Sequence, residues 1–307
     1  MGVRMRMYAC AYVCVRMRAP ARAVRAVRVA GAARMRRRSA MGRRAMVRRG
    51  GGRRPSFGRP PIACEPVRAA VACGVRVSRA PRQSRRNTMS LKFYGHPFSL
   101  YCQKVLIALY EYDVPFEWCL LAGDTPQASA EFAARWPLKH MPMLVDGDRT
   151  IVESTILIEY LGLRRPASVR LVPADAGVAL DARMMDRFFD CYVSTPVQKI
   201  VFDALRPQAE RDARGVADAR RMLDTSYAWL ERTLDGRDWA AGGAFTLADC
   251  AAAPSLFYAD WAHPIDPALQ RVTAYRERLL ARPSFARAVD EARPYRHLFP
   301  LGAPERD

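Results

Sequence analysis

Strand-like and helix-like segments alternate between residues 91 and 163 in an order that few folds can accommodate. Short apolar-rich runs predict strands, and apolar residues that recur every three or four positions predict helices. The Asp146-Gly147-Asp148 sequence is typical of the turn in a β-hairpin. In chain order, the predicted elements are a strand in LKFYGH, a helix in SLYCQKVLIALYEY, a strand in VPFEWCLL, a helix in QASAEFAARW, a hairpin in MPMLVDGDRTIVES and a helix in STILIEYLGL.

This βαβαββα order also predicts the directions of the strands. The strand–helix–strand unit places the first two strands parallel, joined by a right-handed crossover, and the hairpin places the last two antiparallel. Ser99 precedes the first helix as a predicted N-cap. The segment therefore has the topology of a thioredoxin-like α/β domain.

The chain that follows has helical periodicity almost to its end, which predicts an all-α second domain. Thr246 and Asp249 in the segment TLAD have the spacing of a capping box, a folding signal at the start of a helix. The predicted helices cover 175–205, 208–235, 247–262, 268–282 and 284–293. The predicted organisation is an N-terminal extension at 1–88, a thioredoxin-like domain at 89–163, a linker at 164–174 and an all-helical domain at 175–300.

The net charge of +20 belongs to the N-terminal extension alone. Residues 1–88 contain 24 arginines, no lysine and one acid, Glu65, which gives +23 and leaves about −3 for residues 89–307. Few large apolar residues accompany the arginines, so we expect this extension to remain disordered. The charge of the whole chain therefore indicates nothing about the function of the folded part, and nucleic acid is not an expected partner of that part.

We interpret residues 1–88 as a mis-assigned N-terminal extension that comes from an over-extended gene model. Met89, directly before the first strand, would then be the physiological start. Arginine without lysine, together with Ala, Gly and Pro, is the composition that GC-rich DNA yields in an unselected reading frame. A secretory signal, a mitochondrial presequence and an arm that binds nucleic acid non-specifically are the alternatives. No apolar run reaches the length that a membrane span requires.

Cysteine and histidine spacing does not predict a disulfide framework or a metal site. The eight cysteines divide evenly between the extension and the body, and the four in the body have neither CxxC nor metal-ligand spacing. We therefore predict no metal cofactor and a reducing, cytoplasmic location.

Three stretches of the body together resemble the cytosolic glutathione transferase family over residues 90–300. HPFSLYCQKV resembles the first strand-to-helix turn of its serine-type classes, of the theta, delta and zeta kind found also in bacteria. LKHMPMLVDGDRTIVESTILIEYL resembles the most specific block of the family, and GGAFTLADCAAAPSLFY resembles the capped core helix of its second domain. The three stretches occur in the family's order and at similar separations.

The resemblance implies a binding site for glutathione as co-substrate. It implies a cis bond between Met141 and Pro142, with the Met141 backbone free to pair with an extended peptide. Ser154 would take the γ-glutamyl carboxylate at a helix N-terminus, and Glu153 the α-ammonium. The glycine carboxylate would meet a cation, for which Lys139 and His140 are both candidates.

The resemblance also assigns the catalytic group. Ser99 would donate its hydroxyl to the glutathione sulfur and hold the thiolate, which is the attacking species. Cys102 is expected to be a packing residue, with mixed-disulfide chemistry as the alternative. Tyr101 is expected to line the site or the surface, and Tyr94 is a rival for the catalytic hydroxyl.

The function predicted from the resemblance is a glutathione S-transferase that conjugates glutathione to a small, apolar electrophile in detoxification, as a homodimer. A glutathione-dependent isomerase, dehalogenase or thiol–disulfide reductase on the same fold is one alternative, and a non-catalytic glutathione-binding or protein-interaction module is another. Five residues on the first helix of the second domain either line the electrophile pocket or form core: Met184, Met185, Phe188, Phe189 and Tyr192.

Overall fold

A computed structural model describes residues 91–164 and 169–307. The predictions made for residues 1–88, and those for residues 165–168 of the expected linker, lie outside the described residues. The described chain begins with an α/β segment and continues as a helical bundle, so the predicted fold class, a thioredoxin-like domain followed by an all-α domain, is confirmed.

Four strands form one mixed sheet in the order β2-β1-β3-β4. β1 pairs with β2 in parallel and β3 pairs with β4 antiparallel, as the sequence predicts. The pairing of β1 with β3, which joins the two halves of the sheet, is antiparallel. Gly147 adopts φ +61° in the two-residue turn between β3 and β4, a conformation that glycine adopts without steric cost. The strands are β1 Leu91–Gly95, β2 Phe116–Leu120, β3 Met143–Asp146 and β4 Arg149–Val152.

Three helices complete the α/β segment. Ser99 occupies the N-cap position of the first helix, as predicted, but its side chain makes no capping hydrogen bond. Nine of the twelve residues of this helix are buried, because it lies between the sheet segment and the bundle. The helices are α1 Leu100–Glu111, α2 Pro126–Arg135 and α3 Ser154–Arg164.

The long helix predicted at 175–205 is interrupted by a π-helical turn at Phe189–Ser194. Hydrophobic periodicity does not distinguish this turn from a continuous helix, because a single turn is too short a segment for its change of period to be read from the apolar residues. The remaining helices lie within a few residues of their predicted bounds. The helices of the bundle are α4 Ala176–Phe188, α5 Thr195–Ala204, α6 Ala213–Thr233, α7 Leu247–Ala262, α8 Gln270–Leu280 and α9 Pro283–Ala292, with short 3₁₀ turns at Gln208–Glu210 and Arg293–Leu298.

Helix α7 lies in the core of the helical bundle, since every one of its residues is buried. Its N-terminus carries the predicted capping box, in which the Thr246 hydroxyl caps the helix and the Asp249 carboxylate accepts from the Thr246 N–H at 2.7 Å. Helix α1 packs against both α7 and α9, so the α/β segment and the bundle share one hydrophobic core.

Among residues 91–164 and 169–307, no helix is both long enough and apolar enough to cross a bilayer. Within the same ranges no group of three or more His, Cys, Asp or Glu side chains is arranged to hold a metal ion. The cysteines described there, Cys102, Cys119, Cys191 and Cys250, are free thiols.

Candidate functional site

The strand register brings three separate segments of the predicted site to one edge of the sheet. Tyr94 near the end of β1 is opposite Met143 at the start of β3, and Met143 is opposite Val152 at the end of β4. The turn after β1, the segment before β3 and the residues after β4 therefore emerge at the same edge. These segments contain Ser99, Lys139 to Pro142, and Glu153 with Ser154, respectively.

The spacing of the strands sets the width of this edge. Neighbouring strands lie about 4.8 Å apart, so β1 and β4, with β3 between them, are separated by about 10 Å. An extended chain of three residues spans about 10 Å. A tripeptide lying across the edge could therefore contact all three segments at once.

The turn after β1 is held by its own hydrogen bonds. The imidazole Nδ1 of His96 accepts from the Phe98 N–H at 3.2 Å, and the His96 carbonyl accepts from the Ser99 N–H at 3.0 Å. The His96 ring is buried and packs edge-to-face on Tyr295, with ring centroids 4.6 Å apart. Burial lowers the pKa of His96 to about 4, so the ring is neutral near pH 7.

The Ser99 hydroxyl lies at the N-terminal end of α1, where the helix dipole favours a negative charge. The side chain is almost fully covered, and Oγ makes no hydrogen bond of ordinary geometry with any residue that the structure describes. Because Oγ is covered, the groups that cover it must move before a ligand sulfur can contact it.

Cys102 lies one turn further along α1, fully buried. Its Sγ is 3.5 Å from the His96 N–H and would lie only 2.7 Å from a Cβ atom added at Gly95, so the thiol fills the space beneath the turn. Burial raises the pKa of Cys102 to about 12, although the Ser99 hydroxyl and the His96 N–H oppose that rise. The thiol is therefore protonated near pH 7, which makes it a poor nucleophile.

The segment before β3 has an unusual backbone. The Met141–Pro142 peptide bond is cis, as the resemblance implies, and both residues are buried. Lys139 lies in the left-handed region at φ +55°, with its N–H donating to the Trp136 carbonyl at 2.9 Å. His140 is exposed, so this segment presents two cationic candidates beside the edge of the sheet.

Helix α3 begins directly after β4. Ser154 is its first residue and is buried, whereas the side chain of Glu153 is exposed. Glu153 is in the left-handed region at φ +71°, a conformation that costs a residue other than glycine about 1–3 kcal/mol. Conformations of this kind concentrate at functional sites. The unpaired N–H groups at the start of α3 favour an anion.

Three of the five residues proposed as pocket or core are core. Met185, Phe188 and Phe189 are buried, whereas Met184 and Tyr192 are about half exposed. Tyr94 is fully buried and stacks on Phe132 of α2 with centroids 6.5 Å apart, so its ring lies within the core of the α/β segment.

Two residues beside the candidate site were not predicted from the sequence. Thr155, next to Ser154, contacts Lys104, a fully buried lysine on α1. The sequence contains one indication of this contact, a lysine within the apolar run CQKVLIAL. Burying a lysine ammonium costs free energy unless a carboxylate lies near it. The partner carboxylates are 82 and 86 positions further along the chain, so periodicity could not indicate them.

Models of known protein families match both parts of the described chain. A model of the glutathione S-transferase N-terminal domain matches residues 93–168, and one of the glutathione S-transferase C-terminal domain matches residues 183–283. Together the two matches cover more than half of the chain. The chain belongs to the glutathione S-transferase family. The family assignment made from the three sequence motifs is therefore confirmed.

Individual relatives agree with this assignment. Glutathione S-transferase 3 of Zea mays is 30% identical over 212 residues, which cover 65% of this chain and 93% of that protein. A probable maleylacetoacetate isomerase of Vibrio cholerae is 29% identical over 224 residues, covering 67% of this chain and 98% of that protein. The matched region spans from 62% to 98% of the curated relatives' own lengths.

Solved structures of the family share the fold. The glutathione S-transferase of Methylobacterium radiotolerans, crystallised in complex with glutathione sulfonate, is 32% identical and aligns with a TM-score of 0.57. The alignment covers 65% of this chain and 94% of that chain. The part of this chain outside the alignment is comparable in length to the N-terminal extension, which the family matches do not include.

Proposed function

We propose that this protein binds glutathione at the edge of the sheet and stabilises its thiolate for attack on a small, apolar electrophile. The observation that carries the proposal is the register of β1, β3 and β4, which brings the three candidate segments to one edge with the width of a tripeptide. Related structures that contain a glutathione derivative support the choice of ligand.

In the proposed complex, glutathione lies in extended form across this edge. The γ-glutamyl carboxylate meets Ser154 and the N–H groups at the start of α3, and its ammonium meets Glu153. The cysteinyl backbone pairs with Met141 ahead of Pro142, and the glycine carboxylate meets Lys139 or His140. Each end of the peptide then meets a group of opposite charge.

Ser99 would act on the sulfur. Its hydroxyl donates a hydrogen bond to the thiolate, and the N-terminus of α1 adds a favourable potential, so that the thiol of bound glutathione loses its proton near neutral pH. The sulfur lone pair then forms a C–S bond with the electrophilic carbon. In a substitution the leaving group departs with its bonding pair, and in an addition the π pair moves to the electron-withdrawing end of the double bond, which then takes up a proton. The role proposed for Ser99 is that of the catalytic serine in a serine-type transferase.

The test is calorimetric titration of the full chain with glutathione, combined with conjugation assays on a panel of electrophiles. Ser99→Ala should lower kcat/KM about 10²-fold, as expected when one donor to a developing anion is lost. The thiolate absorbance of bound glutathione should disappear near neutral pH, while the affinity for glutathione changes little.

Ser129→Ala on α2 is the matched control, since it removes a hydroxyl from a helix of the same segment without touching the site. Unchanged kcat/KM in Ser99→Ala would remove Ser99 from its catalytic role. Absence of glutathione binding by the unmodified protein would overturn the proposed function as a whole.

A glutathione-dependent isomerase is the second candidate, because one relative, matched over 98% of its length, is a probable maleylacetoacetate isomerase of Vibrio cholerae. Isomerisation uses glutathione without consuming it, whereas conjugation removes one thiol for each product formed. Incubation with maleylacetoacetate, with free thiol measured throughout, separates the two candidates.

The outer faces of α3 and α4 are the proposed homodimer interface. Ile156 and Leu163 on α3, and Leu180 and Met184 on α4, are all about half exposed or more. The two faces are joined by an ion pair between Glu159 and Arg183, with Oε1 and Nε 2.7 Å apart. Several exposed apolar side chains beside charged ones are typical of a protein interface. Leu163→Glu should shift the sedimentation coefficient to that of a monomer.

We further propose a role in detoxification in the reducing cytoplasm, supported by the free thiols described above. Metabolite profiling of cells that lack the protein, in the presence of electrophiles, tests that role.

A further inference from the structure

Lys104 is a buried ammonium group that joins three helices. Its side chain, 1% exposed, extends from α1 toward the bundle, where Nζ is 2.6 Å from Asp186 Oδ1 and 3.0 Å from Asp190 Oδ2. Asp186 belongs to α4, and Asp190 to the π-helical turn that follows it. The same Nζ donates to the Thr155 hydroxyl on α3 at 3.0 Å.

Thr155 is held from two sides. Its Oγ1 accepts from Lys104 and donates to Asp186 Oδ2 at 2.7 Å. Both partners are charged, and hydrogen bonds with a charged partner are about twice as strong as those between neutral groups. The second residue of α3 is therefore fixed by groups on two other helices.

The two aspartates need the cation that they share. They lie four positions apart on adjoining helical turns, where like charges repel each other. Burial alone would lower the pKa of Lys104, but the charges of Asp190 and Asp186 outweigh burial and raise it, so the ammonium stays protonated. Arg187, which is partly exposed, pairs with Asp190 at 3.1 Å and balances the second carboxylate.

The position of this cluster relative to the proposed glutathione site is specific. Thr155 directly follows Ser154, which follows Glu153. Glu153 has a left-handed backbone conformation, which persists only where neighbouring contacts enforce it. Lys104 lies five residues after Ser99 on the same helix. One ammonium group, on the helix that begins after Ser99, thus contacts the first turn of α3, which is proposed to hold the γ-glutamyl end of glutathione.

We infer that Thr155 and Lys104 are positioning residues for glutathione, which fix the start of α3 so that Ser154 and Glu153 meet the γ-glutamyl group. The inference rests on the proposed function. A buried ion cluster can often be replaced by apolar side chains at little cost in stability, so stability alone does not account for it. The geometric effect of the ion cluster is to fix the start of α3 against α1 and α4.

Thr155→Val is the decisive variant, because valine keeps the shape of the side chain and leaves the ion pairs of Lys104 in place. The dissociation constant for glutathione, measured by calorimetry on the full chain, should rise about tenfold, the equivalent of one lost charge-assisted hydrogen bond. Thr155→Ser, which keeps the hydroxyl, should restore most of the affinity. Thr273→Val on α8, where the hydroxyl donates only to the Leu269 carbonyl, is the matched control and should bind like the unmodified protein.

A second titration distinguishes positioning from general loosening of the fold. Cysteinylglycine lacks the γ-glutamyl group, so Thr155→Val should weaken glutathione binding while leaving cysteinylglycine binding unchanged. The thiol pKa of bound glutathione should also stay unchanged, because Ser99 is intact. Equal losses for both ligands, or glutathione affinity in Thr155→Val equal to that of the unmodified protein, would overturn the inference. If the unmodified protein does not bind glutathione, the proposed function fails instead.

Discussion

Asp249 in the capping box and the Asp186–Asp190 pair beside Lys104 are both buried carboxylates, but different groups compensate their charges. Asp249 accepts four hydrogen bonds from neutral donors: the Ala240 N–H at 2.9 Å, the Thr246 N–H at 2.7 Å, the Thr246 hydroxyl at 3.2 Å and the Tyr275 hydroxyl at 2.5 Å. Asp186 and Asp190 instead share the ammonium group of Lys104.

The difference follows from what each cluster connects. Three of the donors to Asp249 come from within ten residues of it, and they are backbone or hydroxyl groups of the kind that a helix start offers. The Lys104 cluster connects helices that are far apart in sequence, where no such local donors exist. A cation on a long side chain can reach across that gap, at the cost of burying several charges.

Lys104→Met should have the largest effect of the substitutions that test this comparison. Methionine fills the space but leaves the buried Asp186 carboxylate without its cation and leaves Asp190 to its pairing with Arg187, so the free energy of unfolding should fall by about 3–5 kcal/mol. Urea unfolding monitored by circular dichroism measures the change.

The control for this prediction is Lys199→Met, which removes a partly exposed ion pair with Asp212 and should lower the free energy of unfolding far less than Lys104→Met does, because solvent screens exposed ion pairs. Adding Asp186→Asn and Asp190→Asn to Lys104→Met should recover most of the loss. A loss no larger than that of Lys199→Met would mean that the cluster is not strongly coupled to folding.

His96 extends the comparison to a buried group that is kept neutral. Its pKa of about 4 in the folded protein lies below the unfolded value, so the unfolded state binds more protons between these two values. Stability should therefore be lost as the pH falls from about 6.5 to 4, by on the order of 3 kcal/mol. Denaturant melts across this range measure the slope.

His96→Asn should flatten that slope, because the amide oxygen can still accept from the Phe98 N–H but does not titrate in this range. His297→Asn, at an exposed histidine near the C-terminus, serves as control and should leave the slope as it is. An unchanged slope in His96→Asn would assign the acid sensitivity to other groups.

Asp249→Asn should cost less than Lys104→Met. An asparagine amide keeps one acceptor oxygen but turns its NH₂ group toward two of the four donors, so the free energy of unfolding should fall by about 1–3 kcal/mol. Chemical unfolding with the same probe allows a direct comparison. If Asp249→Asn were more destabilising than Lys104→Met, neutral hydrogen-bond donors would stabilise a buried carboxylate more than a shared ammonium group does. That result would reverse the comparison.

Cys102 should show the smallest effect. Its thiol is protonated near pH 7 because burial raises its pKa to about 12, so iodoacetamide should label the partly exposed Cys119 and Cys191 well before it. Peptide mapping of the labelled protein identifies the sites. Cys102→Ala should lower the free energy of unfolding by about 1 kcal/mol, in proportion to the small volume removed. Rapid labelling of Cys102 in the folded protein would restore it as a candidate for redox chemistry.

The elements that sequence reasoning predicts well are those set by local physics. The strands and α1 follow from apolar periodicity, and the capping box of α7 follows from residues three positions apart. The π-helical turn at 189–194 was missed because a single turn is too short for its change of period to be read from the apolar residues. The Lys104 cluster was missed because its members lie on separate helices, and only tertiary packing brings them together.

The candidate site divides in the same way. Ser99, Pro142 and Ser154 were singled out from motifs, and the strand register brings their segments to one edge. The burial of the Ser99 hydroxyl could not be predicted from its motif, since the neighbouring side chains that cover it are set by packing. Thr155 carries no motif of its own, and its importance follows only from its contacts with Lys104 and Asp186.

The candidate site depends on the number of residues in the turn between β3 and β4. Because Asp146 pairs with Arg149, adding or deleting one residue in this hairpin would shift β4 against β3 by about 3.3 Å and turn its side chains to the opposite face. Ser154 would then leave the edge of the sheet even with every other residue unchanged. Substitutions at the exposed positions 140 and 153 change no strand spacing. Replacement of side chains at these positions can therefore change ligand preference and leave the fold intact. Insertions and deletions in the hairpin would abolish the site.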